Sequence, residues 1–446
     1  MPQEVLTDED TARDEPTLPV AERSFGRTSR APRPRVESRG PRAVRELVVD
    51  PSDAAAFVEI DDAVAHADDG DRIVVRPGTY RRPVVVDRAV RIEGDGPRER
   101  IRLEPIGGEA LGIAVSGATI TGLTIHPAEA GNDGDDWSAV AVHDATVTIE
   151  GCALTSHLGA TVWVGGPASR AVLRGCLLDG GSQNAVWIVE EGRAELVACR
   201  VTGHRWPMIA QGPHASLSIR DSEVTGNLDA GAVATNGARL VVEGTAVARN
   251  AGVGLALADA APASRIEDCT VEDNAAVGVE VAGGRGAQVL RNRIRRNRLG
   301  ITIVNAAPRI EGNELADNGI GMGVRGELCD PVIAANTIVG GVAAGVIVDG
   351  GAYGRFQGNS VVGGGDVGVW VDDPGTRPTF LDNHVSACAA VGILVSNGAG
   401  GEFRSNDLRG NADGAWQVRD AGELTRIANL EDAGVARPQE APVRLN

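Results

Sequence analysis

The chain of 446 residues sets 43 basic side chains against 61 acidic ones, a formal charge of -18, and holds 59 glycines but only 3% aromatic residues. Every basic residue is arginine, which excludes a phosphate loop built on lysine and Schiff-base chemistry that needs an amine. The acidic balance opposes binding along a nucleic-acid backbone, and no run of about 18 apolar residues marks a membrane span, so neither partner is expected.

Residues 1–45 are rich in Pro, Arg, Asp and Glu with little to bury, and they read as a disordered tail. Acidic residues dominate its first twenty positions, and Arg23, Arg27, Arg30, Arg33, Arg35, Arg39, Arg42 and Arg45 dominate the rest. Such a segment either lies back on the acidic body or serves as a docking arm for a protein partner. The chain opens without a basic stretch followed by an apolar one, which points to the cytoplasm, where six cysteines stay reduced.

Residues 46–70 read as a strand followed by a capping helix. Asp50 or Ser52 could cap it, Pro51 suits its first turn, and Phe57, Ile60, Ala63 and Val64 recur at helical spacing. Asp69-Gly70-Asp71 ends the helix, and the alternation from Arg72 to Tyr80 begins strand structure.

From residue 71 to about 420 the chain repeats itself. Taking one polar or small residue as marker, the series runs Cys152, Cys176, Cys199, Ser222, Thr245, Cys269, Asn292, Asn313, Asn336, Asn359, Asn383 and Asn406, at spacings of 21 to 24 residues. An aliphatic residue follows two positions on and often an asparagine at five. A glycine with an aliphatic-x-aliphatic triplet closes each unit, as in Gly300-Ile301-Thr302-Ile303. A period near 23 with strand chemistry means one coil per repeat, because such a unit buries its apolar side only against its neighbours. Roughly 15 coils at about 4.8 Å give an all-β parallel solenoid on the order of 70 Å long. Stacking places the marker asparagines above one another, with Asn227, Asn250, Asn274, Asn297 and Asn318 as a second ladder at the next turn. Cys152, Cys176 and Cys199 share the marker column as small apolar fillers. Residues 421–446 read as a C-terminal cap and tail over the last coil.

The coil Ile-x-x-Asn-x-Ile-x-x-Asn followed by Gly-Ile-x-Ile resembles the parallel β-helix repeat of the pectin lyase-like superfamily. So does the opening segment from Ile60 through Gly70-Asp71-Arg72-Ile73-Val74-Val75-Arg76-Pro77-Gly78-Thr79-Tyr80 to Gly96. The resemblance covers about residues 48 to 420 and implies right-handed coiling with a helix-capped first coil. It is weak for function, since that superfamily holds lyases, hydrolases, esterases, epimerases and non-catalytic modules.

Gly134-Asp135-Asp136 resembles the paired-aspartate element of polygalacturonases, but a lysine-free chain lacks that family's Arg-Ile-Lys element, and its Gly-His-Gly is missing too. The Gln-Asp and Asp-Phe pairs of pectin methylesterases are also missing. Between Leu123 and Cys152 the marker spacing widens to 29, so residues 126–137 hold a loop insertion of the kind that carries binding. Five of seven histidines and four of six tryptophans fall between residues 126 and 214. Asp135, Asp136, His143 and His157 are the catalytic candidates, and Asp133, Asp135 and Asp136 could hold calcium. Trp137, Trp163, Trp187 and Trp206 are the ligand-binding candidates. Trp163 and Trp187 hold one position in adjacent coils, so both point outward, where they could stack on sugar rings or on a protein partner. The histidines, none of them a close ligand pair, read as surface residues. The functional expectation is a non-catalytic binding or scaffold module without a required cofactor, with a carbohydrate lyase or epimerase, or a scaffold acting through the arginine-rich tail, as rivals.

Overall fold

Small aliphatic residues alternating with polar ones leave each strand one buried face, and three such strands per coil close a triangular cross-section around it. The computed structural model describes residues 43–128 and 136–432 as such a solenoid, and the expected tail lies outside them except for its last three residues, 43–45. Three all-parallel sheets run its length, with 17, 14 and 15 strands in the order in which the chain visits them. One coil shows the scheme. Arg265–Glu267 lies in sheet 1, Thr270–Glu272 in sheet 2 and Val277–Ala282 in sheet 3, before the chain turns back to sheet 1 at Arg285–Leu290. No described helix is long and apolar enough to cross a membrane.

The corners between sheets 1 and 2 are turned by a residue in the left-handed region just before the marker, as at Asp268 (φ 53°), Arg291 (φ 51°) and Ala335 (φ 52°). That turn aims the marker side chain inward. Where one asparagine follows another, its oxygen accepts two bonds from the coil before it: Asn313 donates its backbone N–H and its Nδ2 to Asn336 Oδ1, both at 2.9 Å. Asn336 donates in turn to Asn359 Oδ1 at 2.9 Å and to the Ile310 carbonyl at 3.0 Å. The series runs from Asn292 through Asn359, Asn383 and Asn406 to Asn429. Asn227, Asn250, Asn274, Asn297 and Asn318 bond the same way at the corner between sheets 2 and 3. Gly278 is tied to this second ladder, because a Cβ there would come within 3.0 Å of Asn297 Nδ2 and 2.7 Å of the Gly300 carbonyl. Cys152, Cys176 and Cys199 lie in the marker column, buried and unbridged. Burial pushes the Cys152 thiol up to about 11, so it is inert filling.

Both ends depart from the sequence reading. The helix spans only Ile60–His66. The residues before it form turns, because the Asp50 side chain accepts from the Ser52 N–H and hydroxyl, and Asp53 accepts from Ala55 N–H. Helical Ile60, Ala63 and Val64 still cover the first coil. At the other end the solenoid does not fade near 420. Leu424–Ile427 pairs in register with Gly401–Arg404, and Asn429 adds a rung. The core there is aromatic: the Phe356, Phe380 and Phe403 rings stack at 4.2 and 5.2 Å, and Trp416 meets Phe403 edge-on.

Arg45 anchors the N-terminal end by donating Nε and Nη2 to Asp71 Oδ2 at 3.0 and 2.7 Å. Burial alone would raise the Asp71 carboxyl, but the Arg45 guanidinium and the Asp68 and Arg45 amides hold it at about 2. That stabilisation is complete above about pH 4 and is lost as pH falls toward 2. Arg45→Ala is therefore expected to lower stability at pH 7, and to cost progressively less as pH falls from about 4 toward 2. Thermal unfolding followed across this range of pH checks this.

Candidate functional site on the outer face of sheet 3

Between Thr124–Ile125 of sheet 2 and Val140–His143 of sheet 3 the chain makes its inserted excursion. Asp133 and Asp135 lie outside the described residues, while Asp136 is exposed at the base of the loop. The base lies flat on the next coil: a Cβ at Gly159 would sit 2.8 Å from the Asp136 carbonyl, and Ser156 Oγ donates to the Trp137 carbonyl at 2.7 Å. The Trp137 ring lies over Gly107. Among the described residues no three His, Cys, Asp or Glu side chains converge to hold a metal.

Ala141, Trp163 and Trp187 pair across adjacent coils and point away from the main core. Trp163 is nevertheless only 8% exposed, which corrects its reading as an open platform. Its ring lies over Gly165, where a Cβ would come within 2.2 Å, and against the His143 ring at a centroid distance of 4.6 Å. His143 Nε2 stands 3.7 Å from Glu109 Oε2. Trp187 is half-buried beside this cluster. His143, Glu109 and Trp163 thus meet on the outer face of sheet 3, with Glu109 placed just before the strand Leu111–Ile113 and His143 at the end of Val140–His143. The exposed His157 meets the His126 ring at 5.4 Å, both of them ahead of the sheet 3 strands. Trp206 lies on sheet 2, 39% exposed with Arg205 over its ring, and does not join the cluster.

His204 is not a surface histidine. It takes the second-ladder position one coil before Asn227, whose Oδ1 accepts its backbone N–H at 3.1 Å. Gly181, in register with it, leaves room for the ring, and Nε2 reaches Thr161 Oγ1 at 3.2 Å. Burial lowers its pKa to about 4. Cys199 plus five is His204, just as Ser222 plus five is Asn227, so the spacing itself marked this histidine as inward.

Farther along the same outward row stand Glu280, Thr302, Gly323, Ile347 and Trp370, each the middle residue of its glycine-aliphatic-x-aliphatic segment. The sequence reading passed over Glu280. Burial raises its carboxyl, and no hydrogen bond or ion pair compensates it among the described residues. Thr302 Oγ1 beside it is buried without a hydrogen-bond partner. Two positions after the middle residue, Arg325 grips Asp349 with two bonds of 3.0 and 3.1 Å. Burial, aided by Asp372 and Asp373, still raises the Asp349 carboxyl against Arg325. Trp370 Nε1 donates to Ser396 Oγ, which donates to Asp372.

A family model for the right handed beta helix region matches residues 208–308 and 278–430, half of the chain. The chain belongs to the right-handed β-helix family. No curated protein matches it. Among solved structures this β-helix is similar to the mannuronan C-5 epimerase AlgE4 A-module of Azotobacter vinelandii, at 14% identity over 75% of this chain and 91% of that one, TM-score 0.46. The AlgE6 A-module of the same organism gives 13% identity over 83% and 92%, TM-score 0.40. A pectin methylesterase in complex with a hexasaccharide gives 13% over 54% and 82%, TM-score 0.31.

Proposed function

We propose that this β-helix binds a linear polysaccharide along the outer face of sheet 3. The observation that carries the reading is the unbroken outward row from Trp163 and Trp187 to Trp370, one residue per coil, with an aromatic ring near each end. Half-buried Trp187 and Trp370 supply flat apolar rings at either end of a row that passes through aliphatic Ile209, Val233 and Ile347, small Ala256 and Gly323, and polar Glu280 and Thr302, and such rings can stack on sugar faces. Array binding of acidic and neutral glycans tests it. Trp187→Ala and Trp370→Ala are each expected to weaken binding about tenfold, near 1.4 kcal/mol. Trp163→Ala is expected instead to lower stability by about 2–3 kcal/mol, because that ring is packed and not presented. Failure of every glycan to bind overturns the proposal.

A catalytic reading rests on Glu280. A carboxyl raised by burial holds its proton to higher pH than a solvated one and can deliver that proton to a departing oxygen. Turnover lost in Glu280→Gln with saccharide affinity retained supports it. A wild-type protein that binds a glycan and leaves it unchanged removes it.

A further inference from the structure

The three cysteines that share the marker column, Cys152, Cys176 and Cys199, are not equivalent. Each follows a residue in the left-handed region, Gly151, Gly175 or Ala198, which turns its sulfur inward. The sulfurs lean back along the rod: Cys176 Sγ donates to the Ile149 carbonyl at 3.3 Å, and Cys199 Sγ to the Leu173 carbonyl at 3.4 Å. Leu177 and Arg200, the residues that follow, pair in register, and the Arg200 N–H donates to the Cys176 carbonyl at 2.9 Å. Cys176 and Cys199 are therefore stacked one strand spacing apart, about 4.8 Å. A disulfide spans Cα separations of roughly 4.4–6.8 Å, so the stacking admits one without moving the backbone.

By spacing alone Cys152 could pair with Cys176 as well, and two features select Cys199 instead. The first is access. Arg98 Nη1 donates to the Gly151 carbonyl at 3.1 Å and so covers the corner outside Cys152, whereas an open depression of about 540 Å³ lies directly against Gly175, Cys176 and Ala198. The second is the contact between the thiols. The Cys176 S–H faces the Cys199 sulfur, and the Gly175 and Cys176 amides point at the same atom, which holds the Cys199 thiol below its ordinary range and the Cys176 thiol above it. A thiolate is the nucleophile of thiol oxidation, and Cys199 has a second sulfur in place to trap what it becomes. We propose that Cys176 and Cys199 are an oxidative modification site, which closes a disulfide between adjacent coils on reaction with a peroxide. The Cys199 thiolate attacks one peroxide oxygen, the O–O bond breaks, and the departing hydroxide takes up a proton as water, leaving Cys199 as a sulfenic acid. The Cys176 sulfur then attacks the Cys199 sulfur, the S–O bond breaks, and the Cys176 proton leaves with the hydroxide as a second water. Two thiols thus lose two electrons and two protons to one peroxide. The site is independent of sheet 3 and requires no polysaccharide there.

Hydrogen peroxide added to the whole folded chain, followed by denaturation, alkylation with iodoacetamide, tryptic digestion and mass spectrometry, tests it. Cleavage after Arg174, Arg193 and Arg200 places Cys176 and Cys199 on separate peptides, neither of which carries Cys152. The expected result is one linked pair of peptides joining Cys176 to Cys199, with four of the six thiols still alkylated and all six recovered after dithiothreitol. Serine already fills the marker column at Ser222, 4% exposed, so Cys176→Ser and Cys199→Ser keep a residue type the column accepts. Each is expected to abolish the bridge and to leave Cys152 free, with a circular dichroism spectrum unchanged from wild type. Six alkylated thiols after oxidation, a bridge from Cys152 to Cys176, sulfinic acid in place of the bridge, or bridging only when peroxide meets the urea-unfolded chain each overturns the proposal.

Discussion

Asn336→Ala is expected to be among the most damaging single substitutions in this solenoid, at about 3–5 kcal/mol. The side chain is 1% exposed and lies mid-ladder. Truncation removes its donations to Asn359 Oδ1 and the Ile310 carbonyl, and it also strips Asn313 of the oxygen that accepts both its backbone N–H and its Nδ2. Water cannot replace these partners inside the rod, so the cost includes the desolvation of donors left without acceptors. Asn429→Ala supplies the contrast. It accepts the same two bonds from Asn406 but is only part-buried at the last rung, so about 1 kcal/mol is expected. Urea unfolding of the two variants, with amide exchange at the flanking coils, gives the comparison. Equal costs at the two positions would show that each rung stands alone.

The second large effect is a dependence on pH carried by His204. Burial holds its folded pKa at about 4, below the ordinary value near 6.5, so the folded state favours the neutral ring. Above pH 6.5 both states are neutral and the stability is fully present. As pH falls from 6.5 to 4 the unfolded chain takes up a proton that the folded chain refuses, and about 3 kcal/mol is lost across that window. His204→Asn continues the ladder toward Asn227 without a titrating ring. It is expected to cost stability uniformly, through the space left beside Gly181, and to flatten this part of the pH curve. Urea midpoints of wild type and variant between pH 4 and 7.5 check it. Parallel curves would remove His204 as the cause.

The coils were legible in the sequence because stacking forces equivalent residues into one column, and a column of asparagines is visible as a period. What depended on a second neighbour was harder to see. The outward direction of Trp163 followed from the alternation, but its burial depends on Gly165 in its own strand and His143 one coil earlier, a meeting that only the strand register brings about. The helix was read too long because Asp50 and Asp53 spend their carboxylates on turns, which local propensity does not distinguish from capping. The last coil was lost since Leu424–Ile427 is not followed by a glycine-aliphatic segment, although Asn429 keeps the marker spacing of 23 from Asn406. Glu280 and His204 both stood at positions whose index in the repeat already stated which way they face.

The shared acceptor in each rung also constrains how such a chain can change its length. An asparagine oxygen that serves the amide and the side chain of the coil before it makes any two consecutive coils interchangeable partners, provided the asparagine returns at the same angular position. Whole-coil gains and losses leave every rung with a neighbour, whereas a shift of even a few residues turns one carboxamide away and breaks two bonds at once. Length variation in this architecture is therefore quantised, one coil at a time. The departures that do survive, such as the insertion before Val140 and the excursion at Arg98, are confined to corners where they leave the column beneath them untouched.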